Sequence, residues 1–283
     1  MSRSVRELAH AKINLFLEVP ARRPDGYHEI ETVMHEIDLA DEIELERAAE
    51  TRLEIDDPAL DLGEDNLALR ALRALERRLD RPLDAVVRIR KRIPAGGGLG
   101  GGSSDATAVL RGLDRLHGLG LDPREIESVA AEVGSDTAFF ARGGTALCRG
   151  RGELVSPLPR GPRLAFVLVL PGIHVPTGPV FGALRLPERP RSSYALLRRM
   201  AWDRSIAPGD PALFNRLEAP ARRLHPELDA FFVELDEPDA RLSGSGSTIF
   251  LPQPDRDVAR ETAARVRARM GRNAFVVESA VRS

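Results

Sequence analysis

Strand and helix patterns alternate along this sequence, which predicts a mixed α and β fold divided into two domains. Three observations carry that expectation. Two extended segments near the N-terminus read as a hairpin, leucines at helical spacing recur between strand-like runs, and a stretch rich in glycine, arginine and proline, residues 150–162, separates the two halves. A chain of 283 residues suits one large or two smaller domains, and the boundary is expected at residues 1–155 and 156–283.

Residues 5–19 and 27–38 read as strands, joined through a tight turn signalled by Pro24 and Asp25-Gly26. In the first, Ile13, Leu15, Leu17 and Val19 share one face, which places Lys12 and Asn14 together on the other. Short strands at 41–47 and 51–56 precede a helix over 65–81, whose Leu69, Leu72, Leu75 and Leu79 are helix-spaced. Residues 85–93 alternate apolar and basic and read as a strand, with Lys91 on a solvated face. Ser103, Ser104 and Asp105 are all N-cap types, so a helix is expected to begin at Ala106; another spans 123–133 and ends at Gly134. A short strand at 144–148 holds the one cysteine, Cys148, in a setting typical of a buried thiol. In the second half, 164–170 is an apolar run suited to a strand covered on both faces. Helices near 209–218, 222–235 and 255–270 and strands near 240–251 and 273–281 complete the chain.

Composition excludes several classes. The chain is 42% hydrophobic with a net charge of −2, so no broad basic surface for nucleic acid is indicated. No apolar run is long enough to span a bilayer, and the N-terminus lacks an apolar signal region, so the expectation is a cytoplasmic protein without membrane or nucleic-acid partners. Only Lys12 and Lys91 among the 41 basic residues are lysines, and a lysine kept against such an arginine background hints that a compact ammonium is wanted.

The most informative segment is Pro94 to Ala106. Gly96, Gly97, Gly98, Gly100, Gly101 and Gly102 surround Leu99, and Ser103-Ser104 follow. Glycine loses the most backbone entropy on ordering, so a run this dense between a strand and a helix implies close approach of a ligand to the main chain. Backbone N–H groups at a helix N-terminus suit a phosphate. A flexible linker is disfavoured by the ordered elements on both sides. Gly96, Gly98 and Gly101 match a dinucleotide-binding spacing, but the second strand and acidic residue such a unit needs are missing. No Gly-Lys-Ser/Thr, His-Arg-Asp or Asp-Phe-Gly sequence occurs, against P-loop and protein-kinase readings. A second glycine-rich turn, Ser243-Gly244-Ser245-Gly246-Ser247, lies between strand-like segments.

Taken together, the N-terminal strand, the Pro-x-x-x-Gly-Leu-Gly-x-x-Ser-Ser loop and the late glycine-rich turn resemble the GHMP family of small-molecule kinases. The resemblance implies an α+β, two-domain GHMP kinase fold. It pairs an N-terminal domain like domain 2 of ribosomal protein S5 with a C-terminal ferredoxin-like α/β domain, the active site lying in the cleft between them. Ala11-Lys-Ile-Asn-Leu-Phe-Leu and Arg23-Pro-Asp-Gly-Tyr-His-Glu are similar to the subgroup that phosphorylates the 2-hydroxyl of a CDP-linked methylerythritol in the non-mevalonate isoprenoid pathway. That implies ATP as phosphoryl donor, Mg2+, and a CDP-linked polyol substrate, with monomer and homodimer both open. Non-catalytic alternatives are a nucleotide-binding regulator and an S5-like RNA-binding protein; another alcohol, such as homoserine or mevalonate, is the alternative within the family.

Residue by residue, the resemblance gives Pro94 and Gly96 to Ser104 to the ATP phosphates, Ser104 serving as a magnesium ligand or a phosphate donor. Lys12 and Asp136, the latter in Gly134-Ser-Asp136, match the catalytic pair; on local sequence Asp136 is equally an N-cap for the residues after it. The family usually has Val-Pro after this aspartate, where this chain has Thr137-Ala138. Tyr27 and His28 match a cytidine-contacting pair, and Phe181 and Thr177 a cytosine-stacking segment, with Phe181 as a core residue the competing reading. Asn14 is a substrate hydrogen-bond donor in this reading, and Ser243 to Ser247 buttress the phosphate loop or touch substrate.

Overall fold

The computed structural model describes residues 3–159, 161, 163–202, 206–271 and 274–280. In chain order its elements are β1 (Ser4–Arg22), β2 (His28–Arg47), β3 (Arg52–Ile55), α1 (Leu67–Leu79), β4 (Ala85–Arg90), α2 (Gly101–His117), α3 (Pro123–Val133), α4 (Thr137–Arg142), β5 (Thr145–Gly150) and β6 (Leu154–Pro157). There follow β7 (Ala165–Val169), α5 (Thr177–Gly182), α6 (Tyr194–Trp202), β8 (Phe214–Asn215), α7 (Glu218–Leu224), α8 (Pro226–Leu235), β9 (Arg241–Leu242), β10 (Ile249–Gln253), α9 (Arg256–Met270) and β11 (Ala274–Glu278).

The chain divides into two compact units interleaved along the sequence: one holds residues 1–11, 39–95 and 100–143, the other 12–38, 96–99 and 144–283. The expected boundary at 155/156 does not coincide with that division. Residues 12–38 and 144–155 fall with the later part of the chain, the first half of β2 pairing with β5, β5 with β6 and β1 with β8.

In the first unit, β3 runs parallel to β4, and β4 pairs antiparallel with the second half of β2 from Glu42↔Arg90 to Arg47↔Ala85. Ile43, Leu45, Val87 and Ile89 from these strands join Leu72 and Leu75 of α1, Val109 and Leu113 of α2 and Val129 of α3 in one apolar core. Asn66 caps α1 by accepting from Ala68 N, and Asp122 and Glu125 form a capping box on α3 behind Pro123 at its first position.

In the second unit, β5 pairs with the first half of β2 and with β6, and β8 lies parallel to β1 with Phe16↔Phe214. A separate antiparallel sheet has the order β11-β7-β10-β9. Val167 and Val169 of its central strand, Leu251, and Leu228, Phe231, Ala263 and Val266 of α8 and α9 form the second core. Buried His35 ties the unit together, its Nδ1 2.8 Å from Thr145 Oγ1 and its Nε2 3.0 Å from Ser279 Oγ. Burial pushes this imidazole down to about 4, so it is neutral at physiological pH.

Several expected boundaries move, each for a local reason. The strands expected at 27–38 and 41–47 are one, β2, because the polar residues between them are satisfied in place. Asp38 Oδ1 accepts from Glu278 N at 2.9 Å, and Asp41 Oδ1 from Ile93 N at 2.8 Å. The helix expected at 209–218 is instead turns around β8, where Asn215 donates to the carbonyls of Leu242 and Gly244 and accepts from Leu217 N. The helix expected at 222–235 breaks at His225, since Pro226 can begin a helix but not continue one. The strand expected at 240–251 is interrupted by the Ser243–Thr248 turn. β6, α5 and α6 were without a sequence expectation.

Leu72 is fully buried in the first core, so Leu72→Ala should lower the unfolding free energy by about 2–5 kcal/mol in urea titrations.

Candidate functional site

The glycine run is shared between the two units, Gly96 to Leu99 packing with the second and Gly100 onward with the first. In the second unit Gly98 has φ +74°, and a Cβ placed on it would lie 2.2 Å from Ser243 O and 3.1 Å from Gly246 O. No other residue fits there. Ser243 Oγ donates to Gly98 O at 3.0 Å, Thr248 N donates to Gly97 O at 3.2 Å, and Lys12 N donates to Leu99 O at 2.9 Å. The late glycine turn and the middle of β1 thus both hold the run.

Lys12 is buried, and its Nζ donates to Asn14 Oδ1 at 2.6 Å and to Gly98 O at 3.0 Å. Asn14 Nδ2 in turn donates to Thr32 Oγ1 at 2.9 Å, which donates to Phe16 O at 2.6 Å. A Cβ on Gly244 would stand 3.4 Å from Asn14 Oδ1 and 3.5 Å from Lys12 Nζ. Lys12, Asn14, Gly98, Ser243 and Gly244 therefore form one polar cluster. Ser245 Oγ lies 2.8 Å from Thr177 Oγ1 at the start of α5.

Nearby in sequence, Tyr27 is exposed, with the Arg151 guanidinium 5.0 Å from its ring centre. His28 is half-buried, and its ring lies 5.2 Å from that of Phe181 at a tilt of 35°. Burial, reinforced by Arg22, lowers the His28 pKa. The structure so brings His28 and Phe181 together. Phe181 is partly buried against the second core.

In the first unit, α2 begins at Gly101 behind Gly100 at φ +73°, five residues earlier than expected. Ser103, Ser104 and Asp105 therefore lie within the first turns and cap nothing; the glycines themselves supply the cap. Main-chain N–H groups of Gly101, Gly102 and Ser103 stand at the open end of a 17-residue helix, which favours an anion. Ser103 is half-exposed and Ser104 buried.

Asp105 points into the protein, where Lys91 Nζ lies 2.6 Å from its Oδ2 and 2.5 Å from Asp41 Oδ2. Lys91 is accordingly not on a solvated face. The sequence did carry the signal, because Val87, Ile89 and Ile93 are buried and Lys91 shares their alternation. Burial pushes the Asp105 carboxyl up to about 7, against the attraction of Lys91 and with the repulsion of Asp41, and Asp105 Oδ1 has no hydrogen-bond partner among the described residues. Burial would lower the Lys91 pKa, but the two carboxylates outweigh it and raise it.

Asp136 occupies the N-cap position of α4, yet its side chain makes no capping hydrogen bond. Thr107 Oγ1, fully buried in α2, shares its one proton between Ser103 O at 3.0 Å and Thr137 O at 2.9 Å, tying the start of α2 to the residue after Asp136.

Residues 66–144 match the family described as GHMP kinases N terminal domain, and residues 195–272 match GHMP kinases C terminal. A 4-diphosphocytidyl-2-C-methyl-D-erythritol kinase of Gloeobacter violaceus is 37% identical over 98% of this chain and 95% of its own. The chain belongs to the GHMP kinase family. Another kinase of the same name, from Bacillus subtilis, is 39% identical over 87% of each chain. A crystal structure of 4-(cytidine 5'-diphospho)-2C-methyl-D-erythritol kinase superposes with TM-score 0.80 at 35% identity, covering 98% of this chain and 100% of that one. A homoserine kinase from Cytophaga hutchinsonii shares the fold, with TM-score 0.73 at 18% identity over 99% and 96% of the two chains. The two-domain α+β GHMP kinase fold expected from the sequence is the fold found. Among the described residues, no helix of this GHMP kinase is long and apolar enough to cross a membrane.

Lys91→Met would leave two buried carboxylates without their cation and should destabilise the fold by about 3–5 kcal/mol in urea titrations. Because the folded Asp105 pKa lies above its ordinary value, its contribution to stability is complete near pH 4 and declines as pH rises through about 7. The stability of the wild-type chain relative to Asp105→Asn should therefore fall between pH 5 and pH 8; a difference that stays flat would contradict the raised pKa.

Proposed function

We infer that this GHMP kinase transfers the γ-phosphoryl group of ATP to the 2-hydroxyl of 4-diphosphocytidyl-2-C-methyl-D-erythritol, giving the 2-phosphate and ADP. The observation that carries this reading is identity of 37% along 98% of the chain with a kinase of that name. Phosphoryl transfer asks a protein to align the nucleophile and to stabilise charge on the phosphoryl oxygens.

In this reading the main chain from Gly96 to Ser104 holds the phosphates of ATP, with Pro94 setting the approach to the loop. The cradle fits: Gly96, Gly98 and Gly100 all have positive φ, and a 17-residue helix starts directly behind them. Asp136 accepts the proton of the attacking hydroxyl, and the Lys12 ammonium polarises that hydroxyl. Asn14 hydrogen-bonds the polyol, while Tyr27, His28, Thr177 and Phe181 receive the cytidine end. Among the described residues no group of three His, Cys, Asp or Glu side chains could hold a metal ion, and Asp105 is engaged by Lys91. Magnesium would arrive with ATP and take phosphate oxygens, with the Ser104 hydroxyl as the protein donor, which fits its reluctance to shed water for an all-protein site.

ATP turnover should be measured with the CDP-linked alcohol, homoserine and mevalonate side by side. The reading predicts a kcat/KM for the CDP-linked alcohol at least about a thousandfold above either other alcohol, since a site built to bind a nucleotide rejects acceptors lacking it. Equal turnover of homoserine would overturn it. Asp136→Asn and Lys12→Ala should each lower kcat by about two to four orders of magnitude in steady-state assays, with KM for ATP changed little. Phe181→Ala should raise KM for the CDP-linked alcohol about tenfold while slowing chemistry less, the cost of one lost stacking contact on a base.

A further inference from the structure

His174 lies in the segment between β7 and α5 and has no part in the site as described above. Its Nδ1 stands 3.2 Å, and its Cε1 3.5 Å, from where a Cβ on Gly96 would be. The imidazole therefore rests against the first glycine of the run, at a residue whose φ of +67° and missing side chain leave room for it.

The rest of the segment is fixed. Val175 and Val180 are buried in the second core, and Thr177 Oγ1 is 2.8 Å from Ser245 Oγ in the late glycine turn. His174 itself is exposed, and among the described residues it has no hydrogen bond, ion pair or ring contact. The other histidines of this unit differ: both ring nitrogens of His35 are taken up, His225 meets Glu227 and His28 meets Phe181. A held backbone thus presents an imidazole with both nitrogens open beside a loop of main-chain N–H groups.

Charge makes this position consequential. Three basic side chains are placed against the run, namely Lys12 at Gly98, Lys91 at Gly101 and His174 at Gly96. Lys91 lies between Asp41 and Asp105 and so brings no net positive charge to a ligand. A triphosphate donor and a diphosphate-linked acceptor each bring several negative charges, which the run can meet with neutral N–H groups but not neutralise.

We propose that His174 is a phosphate-binding residue of the transfer site, its imidazole donating a hydrogen bond to a phosphate oxygen held on the Gly96 side of the glycine run. The proposal rests on the reading that this run holds phosphate. Two ligands supply that chemistry, the donor nucleotide and the diphosphate of the acceptor, and kinetics separates them. His174→Ala and His174→Asn are to be assayed with ATP and with the CDP-linked alcohol varied in turn, after checking that their thermal unfolding matches wild type. His174→Ala should raise one of the two KM values about five- to tenfold with kcat within about twofold, as expected for one partly exposed hydrogen bond to a charged group. His174→Asn, which keeps a donor near the Nδ1 position, should recover most of that loss. A rise confined to KM for ATP assigns the contact to the donor, and one confined to KM for the alcohol assigns it to the acceptor. Two unchanged KM values overturn the proposal whatever happens to kcat. If the wild-type protein fails to bind ATP in a calorimetric titration, the parent reading fails instead, so the two failures are distinguishable.

Discussion

The arrangement depends on one close approach, that of the Gly98 backbone to the Ser243–Thr248 turn. A single carbon added at Gly98 would sit 2.2 Å from Ser243 O, far inside van der Waals contact. Because that carbon is absent, Gly98 O can accept from both Ser243 Oγ and Lys12 Nζ. Those two bonds fix the orientation of the peptide plane, and with it the direction in which neighbouring N–H groups point. Lys12 is oriented by the same atom, so the cation assigned to the nucleophile and the loop assigned to the donor are placed by one carbonyl. Asn14 and Thr32 extend the network, giving the buried side chains of Lys12, Asn14 and Thr32 hydrogen-bond partners, as burial requires.

A second constraint is the treatment of charge around the loop. An acidic residue in the first turns of a phosphate-binding helix would repel its ligand, and Asp105 avoids this by turning inward to Lys91. Burial then raises its pKa towards neutrality, so its negative charge is weakened as well as screened. The Lys91 ammonium also bonds Asp41, whose other oxygen accepts from the Ile93 N–H just before Pro94. The triad therefore fixes both the strand that leads into the loop and the helix that leaves it. What presents itself as a basic run in the sequence, Arg90-Lys91-Arg92, serves as internal support.

Much of this was legible in the residues. The glycine density from Gly96 to Gly102 announced a backbone-lined loop, and the capping pattern at Asp122-Pro123 and the leucine spacing of α1 located two helices closely. What escaped had physical causes. Helix α2 starts two residues before its serines, and five before the expected Ala106, because left-handed Gly100 occupies the N-cap position, whereas side-chain preference alone points to the serines. The continuity of β2 through Asp38 and Asp41 depends on donors from distant strands that no local pattern reveals. The two-residue strand β8 and the Asn215 bonds behind it are likewise products of tertiary contact. The interleaving of the two compact units follows the long strands β1 and β2, each of which contributes residues to both.

The most direct test of the central claim, that the glycine run is a phosphate cradle set by the Gly98 contact, is calorimetric titration of ATP into Gly98→Ala beside Gly178→Ala. Gly178 has open space at its Cβ position and no positive φ, so its variant controls for the loss of a glycine as such. The account predicts wild-type affinity for Gly178→Ala and a loss of at least about a hundredfold for Gly98→Ala, with both proteins still folded. Wild-type ATP affinity in folded Gly98→Ala would contradict it, and would move nucleotide binding away from this loop.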